Sequence, residues 1–532
     1  MELKELIDLS NKAFQEKNFQ KSIELLKKIV VLQPNTYEVY LRLGLASSSL
    51  GNLEEAIGYF EKGASINPNS SPIYCNLGNL HAELNNKNVA LKNYFRAIEL
   101  NPKNFNANYN LGSFYFKIGD LENSEKYLKL AINIIPNHFY VYNSLFLLYD
   151  RSNNFKKLED ILKKAKKFFP GNSLIKFFEG IIEYRKKNFK EAIDIFSKAN
   201  LDKRDVSRNM LKMNYIAKSY DQLGLYQEAY KFFEISNKIS EELPKNNSNK
   251  ENFLDSISKR INYFSNIKAN QIQKKRHIDK QADPVFLIGF PRSGTTLLDT
   301  ILRTHNSIEV LEEKPVVDRL LKEMEKNTGS SFSSLEEIDQ LEVKNLRDLY
   351  NSEREKYIKF EQGKIYVDKF PLNIVYLAEI NKIFPNAKYI LALRNPRDSV
   401  LSCFMQSFTP NDAMSNMLSI NDASNLYDQS MELFKIYQKN LDLKLHEIKY
   451  EDVINNFEPT IKNLLKFLEV EWTDNLSEFY KTAENKRIIS TPSYDQVNKP
   501  LYNKSIGRWK NYKDKFIETN KIFEKWNKEF KY

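Results

Sequence analysis

The chain has 532 residues, 42% of them hydrophobic and 28% charged, with a formal net charge of +11. This length exceeds one ordinary core and implies two or more domains of a soluble globular protein. Only two cysteines occur, Cys75 and Cys403, which excludes a disulfide framework or a zinc spacing. With no apolar run of about 18 residues, no membrane span is expected. The amphipathic start MELKELIDLSNKAF lacks the apolar core of a secretory signal, so a cytoplasmic protein is expected. The positive charge reads as a Lys- and Asn-rich background more than as the mark of an anionic partner.

Along the first half, Pro34, Pro68, Pro102, Pro136 and Pro170 recur every 34 residues. Gly44, Gly78, Gly112 and Gly180 keep the same step, with Phe146 at the one broken position. Ala56, Ala90 and Ala192 follow it too, with Ser22, Ser124 and Leu158 as variants. A period of about 34 marks the tetratricopeptide repeat, a helix-turn-helix unit stacked into an all-α solenoid. Small residues let paired helices approach closely, and each Pro stops the second helix. Leu53, Ala56, Ile57, Phe60 and Ala64 fall on one helical face. A further unit is predicted near Met213 to Ile239, after a short insertion around Asp202 to Arg208. We place the solenoid at residues 1–240. Its concave face suits a protein or peptide partner or substrate, and the alternative is an array that only supports the second half.

Residues 241–282 read as a linker and docking helix. The stretch LPKNNSNKEN is polar, and Phe253, Ile257, Ile261 and Phe264 share a helical face beyond it. The run KKRH at Lys274 to His277 reads as a solvated charge run, and no nucleic acid partner is expected.

From residue 283 to 532 short apolar strands alternate with helical patterns. Strands are predicted at Val285 to Ile288, Ile365 to Val367, Tyr389 to Leu393 and Leu445 to Lys449. This is the pattern of a parallel α/β sheet with ligands at the C-terminal strand ends. In VFLIGFPRSGTT, Pro291 and Gly294 shape a P-loop-like turn, and the following helix N-terminus attracts an anion. Arg292 offers a planar cation for two oxygens, and Ser293, Thr295 and Thr296 add hydroxyls. A nucleoside triphosphatase carries Lys where Thr295 stands.

These residues resemble the PAPS-dependent sulfotransferases, in particular a tyrosylprotein sulfotransferase-like branch fused to tetratricopeptide repeats. The family's 5′-phosphosulfate loop matches PRSGTT, and its 3′-phosphate motif matches RNPRDSVLS, Arg394 to Ser402. The resemblance covers about Pro284 to Tyr512 and implies PAPS as sulfuryl donor with no metal. It assigns 5′-phosphosulfate binding to Arg292, Ser293, Gly294, Thr295 and Thr296, and 3′-phosphate binding to Arg394, Ser402 and Arg508. Tyr450 in IKYEDV is placed near the nucleotide. Glu313 in EVLEEKPV is implied as catalytic base, and Lys369 in YVDKFP together with Ser493 in the C-terminal loop as stabilisers of the leaving group. Arg508 stands where better-known relatives carry Lys, and Gln406 where they carry a second Arg. A non-catalytic repeat scaffold with a nucleotide-binding domain, or a carbohydrate or small-molecule sulfotransferase, are the competing readings.

Overall fold

The structure, a computed structural model, describes residues 2–243, 249–267, 282–333, 335–481, 501 and 503–532. The chain divides into two compact units, Met1–Ile182 and Glu183–Tyr532.

The first unit is built of helix pairs. Leu3–Gln15 pairs with Phe19–Leu32, Tyr37–Ser49 with Leu53–Ile66, and Ser71–Glu83 with Lys87–Leu100. Phe105–Ile118 then pairs with Leu121–Ile134, and Phe139–Arg151 with Phe155–Phe168. Pro34, Pro68, Pro102, Pro136 and Pro170 each stand just beyond a second helix, where the missing N–H blocks further turns. Side-chain caps start several helices: Asn18, Asn104, Asp120 and Asn154 accept the N–H groups of Lys21, Ala107, Asn123 and Lys157. The repeated glycines are contact points. A Cβ on Gly44 would lie 2.5 Å from the Phe60 ring, and one on Gly78 2.6 Å from Tyr94. Phe146, at the broken position, is fully buried with its ring 4.9 Å from that of Phe178.

The second unit contains a helical hairpin, Val206–Gln222 and Tyr226–Ser240, that continues the repeat pattern in sequence. The insertion expected at Asp202 to Arg208 is shorter than it reads. Asp205 caps the first helix by accepting the Arg208 N–H at 3.2 Å, so the helix begins at Val206. Ala217, Ala229 and Phe233 of this hairpin lie in the same buried cluster as Phe286, Ile288 and Leu391 of the sheet.

Helix Lys250–Asn266 docks by Ile257 and Phe264, both fully buried. Its Arg260 donates to Glu379 at 2.8 Å and lies between the rings of Phe332 and Tyr376, 4.6 and 5.0 Å away. That pair is fully desolvated, so losing one partner would strand a buried charge. The KKRH run lies outside the described residues.

Five parallel strands form one sheet in the order β2-β3-β1-β4-β5. They are β1 (Val285–Gly289), β2 (Ile308–Glu312), β3 (Ile365–Lys369), β4 (Lys388–Leu393) and β5 (Lys444–Lys449). Four of these are the predicted strands. The edge strand β2 has no clear signal in the sequence, because IEVLE carries two acids and only partial alternation. After β1 the chain runs to one side of the sheet, and at β4 it crosses to the other. The loops after β1 and β4 therefore diverge and leave a crevice at their C-terminal ends. Helices cover both faces, as a parallel sheet requires. Phe286, Ile288, Tyr389 and Leu391 belong to one buried cluster, and Val285, Leu287, Ile390 and Ala392 to the other. Among the described residues no helix is long and apolar enough to cross a membrane.

Candidate active site

Two close approaches shape the crevice between β1 and β4. A Cβ on Gly289 would lie 2.5 Å from the Ala392 carbonyl oxygen, and one on Gly294 2.9 Å from the Tyr450 ring. Glycine at these positions lets the loop after β1 lie directly against β4 and against the start of helix Tyr450–Asn455. Arg292 takes a left-handed backbone, φ +68°, a conformation costly for a side chain with a Cβ and concentrated at functional loops. Gly294, φ +100°, then opens helix Thr295–Arg303. The loop's donors thus stand at a helix N-terminus.

Arg292, Ser402 and Arg394, expected from the sequence to bind phosphate, come together here. Arg292 Nε donates to Ser402 Oγ at 3.0 Å, joining the loop to helix Pro396–Phe404. Arg394 donates from one terminal nitrogen to the Arg292 carbonyl at 3.1 Å and from the other to the Ser505 carbonyl at 2.6 Å. Its guanidinium also lies 4.9 Å from the Tyr450 ring centroid. Asn395 starts the motif helix by accepting the N–H groups of Arg397 and Asp398. Ser293, Thr295 and Thr296 are buried. Two buried donors in this cluster, Ser293 Oγ and Arg394 Nε, make no hydrogen bond within the protein. Buried polar atoms are nearly always satisfied, so two orphaned donors beside a helix N-terminus fit an anionic group.

A second cluster stands at the ends of β2 and β3. Glu313 follows β2 with φ +47°, and its N–H donates to the Lys369 carbonyl at 2.9 Å. Lys369 Nζ is fully buried and donates to Glu313 Oε1 at 2.6 Å. Asp299 and Glu312 also stand 3.8 Å from this ammonium. Lys369 is thus a desolvated cation shared by three carboxylates, and the Glu313 side chain keeps 36% exposure. The sequence did not show that the expected base and the expected lysine touch each other. On the other face of β3, Asp368 is buried, and desolvation pushes its carboxyl up to about 7.

Arg508 begins a short helix, Arg508–Phe516, and donates to Asp221 at 2.6 Å. The backbone before and after it is held by Asp398, which accepts from Gly507 N at 2.6 Å and Trp509 N at 2.9 Å. Burial raises the Asp398 carboxyl, while Arg394 and these two N–H groups lower it. Ser493 lies outside the described residues. Gln406 donates its backbone N–H to Cys403, near the end of the motif helix. Cys403 is buried against the Pro291 carbonyl, and desolvation pushes its thiol up to about 12.

Sequence reasoning missed Asp398, Asp299 and Asp221. Asp398 stands inside the quoted RNPRDSVLS motif, and an acid in a helix's first turn was a legible signal. Asp221 carried none, since its partner lies 287 positions away.

Residues 284–474 match the sulfotransferase family model. Residues 37–70 and 105–138 match a tetratricopeptide repeat model, 82–119 a TPR repeat model, and 127–242 the Iml2/tetratricopeptide repeat protein 39 model. An uncharacterised protein of Aquifex aeolicus is 29% identical over 264 residues, 48% of this chain and 34% of its own length. Protein-tyrosine sulfotransferase 1 of Danio rerio is 28% identical over 240 residues, 43% of this chain and 66% of that protein. The chain therefore spans about a third to two thirds of these relatives. Among solved structures, a MamA protein is 26% identical over 31% of this chain and 91% of its own, with a TM-score of 0.28. Family models thus show tetratricopeptide repeats within residues 37–242 and a sulfotransferase-family domain at residues 284–474.

Proposed function

We propose that the second unit transfers a sulfuryl group from PAPS to an acceptor hydroxyl, with protein tyrosine as the acceptor class suggested by the relatives. The observation that carries this reading is the junction of Arg292, Ser402 and Arg394 at the β1–β4 crevice, with Ser293 Oγ and Arg394 Nε buried and unpartnered. When bound, the donor supplies an activated sulfuryl group whose transfer leaves a bisphosphate. Arg292, Ser293, Gly294, Thr295 and Thr296 would hold its 5′ end through the loop and the helix N-terminus. Arg394, Ser402 and Arg508 would hold its 3′-phosphate, with Tyr450 packed beside them and Ser493 assigned to the closing loop. Glu313 accepts the proton of the acceptor hydroxyl. Lys369, held 2.6 Å from that carboxylate, offers its ammonium to the charge that develops on the leaving oxygen. The two roles are compatible because a lysine shared among acids can change partners without leaving its buried position.

The repeats at residues 1–240 recruit the protein or peptide that presents the hydroxyl, and 241–282 ties them to the catalytic residues of 283–532. The test is calorimetric titration of the full chain with adenosine 3′,5′-bisphosphate beside ATP with Mg²⁺. Tight binding of the bisphosphate and weak binding of ATP support the donor assignment. The reverse preference would refute it and leave the crevice as a site for nucleoside triphosphate.

A further inference from the structure

The hairpin Val206–Gln222 and Tyr226–Ser240 reads in sequence as one more repeat, yet its polar side chains are spent on the donor crevice. Asn237 Nδ2 donates to the Phe404 carbonyl at 2.9 Å and Asn214 Nδ2 to the Met405 carbonyl at 3.1 Å. These oxygens close the helix that carries Ser402, and helix C-terminal carbonyls otherwise lack partners. The Tyr230 ring stacks on Phe404 at 4.9 Å. From the same hairpin, Asp221, only 7% exposed, accepts from Arg508 at 2.6 Å with one oxygen and from the Tyr512 hydroxyl at 2.7 Å with the other. Tyr512 is fully buried, so it fixes the carboxylate rather than following it.

We infer that Asp221 is a positioning residue for donor binding: it orients the Arg508 guanidinium toward the 3′-phosphate subsite, so the last repeat hairpin is part of the sulfotransferase site. This inference rests on the donor reading above. Three contacts support the orientation. Arg394 holds Ser505, Asp398 holds the N–H groups on both sides of Arg508, and Asp221 holds the guanidinium itself. The Arg508 side chain retains 30% exposure, so it is anchored at one nitrogen without being enclosed. A guanidinium tethered by a buried carboxylate has given up its rotamer freedom before the ligand arrives, which lowers the cost of binding.

The sign of the effect separates orientation from simple charge. A carboxylate near a phosphate repels it, so removing the Asp221 charge would tighten bisphosphate binding if charge alone mattered. Orientation predicts weaker binding. The experiment is calorimetric titration of adenosine 3′,5′-bisphosphate into the full chain as wild type, Asp221→Asn, Arg508→Ala and the double variant. Asp221→Asn keeps the side-chain shape, and tryptophan-fluorescence melting verifies its fold. We expect Asp221→Asn to bind about tenfold more weakly, the size of one charge-assisted contact. The double variant should bind no more weakly than Arg508→Ala, since residues acting through one group are non-additive. Should Asp221→Asn melt early, Arg508→Lys tests the same point from the other side, with about a tenfold loss expected from giving up the fork while keeping the charge. Binding by Asp221→Asn at or above wild-type affinity, additive losses in the double variant, or full affinity in Arg508→Lys would each overturn the inference. Absence of bisphosphate binding by the wild-type chain would instead refute the donor reading on which it rests.

Discussion

Replacing Asp368 by Asn should remove a pH dependence built into the sheet. The Asp368 carboxyl lies in the core beneath β3, 1% exposed, accepting one hydrogen bond from Tyr350 at 3.0 Å and leaving its Oδ1 without a partner. Burial pushes it up to about 7 from an ordinary 3.8. A carboxyl raised in the folded state favours folding most when protonated in both states. Its contribution is therefore full below about pH 4, declines as pH rises, and is lost above about pH 7. The difference corresponds to on the order of 4 kcal/mol between those limits. Asp368→Asn keeps an acceptor for Tyr350 and cannot ionise, so it should outlast the wild type in denaturant at about pH 8 and match it near pH 4. The three tryptophans, Trp472, Trp509 and Trp526, all lie in the second unit, so their fluorescence reports its unfolding alone. Urea titrations of both proteins across that range measure the difference directly. Parallel profiles, or a gap that widens toward acid, would refute the argument.

Other substitutions separate donor binding from chemistry. Arg394→Ala removes a buried cation with two carbonyl contacts and a ring contact, and bisphosphate affinity by calorimetry should fall tenfold or more, about 1.5–3 kcal/mol. Glu313→Ala should abolish turnover in an acceptor screen with labelled donor and leave bisphosphate affinity unchanged, since Asp299 and Glu312 still neutralise Lys369; retained turnover would exclude Glu313 as base, and a protein whose only task is scaffolding would show no change in partner binding. Gly289→Ala places a methyl against the Ala392 carbonyl and should destabilise the second unit by about 1–3 kcal/mol, read by the same urea titration.

Much of this was legible in the chain because it depends on local spacing. Proline and glycine positions mark the repeats, since a helix stop and a close approach each require one residue type. The loop after β1 and the RNPRDSVLS motif were legible because a strand end, a turn and a helix start are contiguous in sequence. Where legibility ended, the cause was the same each time. Periodicity tells which face of Val206–Ser240 is apolar and not what covers it, so it did not show that this helical pair shares a buried cluster with the sheet. The Glu313–Lys369 pair depends on register between β2 and β3, and the Asp221–Arg508 pair on a contact between distant segments. Neither leaves a trace in local pattern.

Register also constrains how the two clusters work together. Glu312 pairs with Lys369 across β2 and β3, and Lys369 pairs with Leu287 across β3 and β1. Neighbouring strands stand about 4.8 Å apart, so Glu313 is offset by about 10 Å from the line of β1, while Lys369 occupies the strand between. Glu313 therefore stands two strands from β1, on the side away from β4. In the proposed reading it accepts its proton from a second reactant lying across the end of β3. The buried Lys369 ammonium lies 2.6 Å from Glu313 and 3.8 Å from Asp299 of the helix that follows the β1 loop, and sheet register places Lys369 on the strand between β2 and β1. In the proposed reading, donor grip and proton acceptance fall on different strand pairs of one sheet, which the Arg394 and Glu313 variants test.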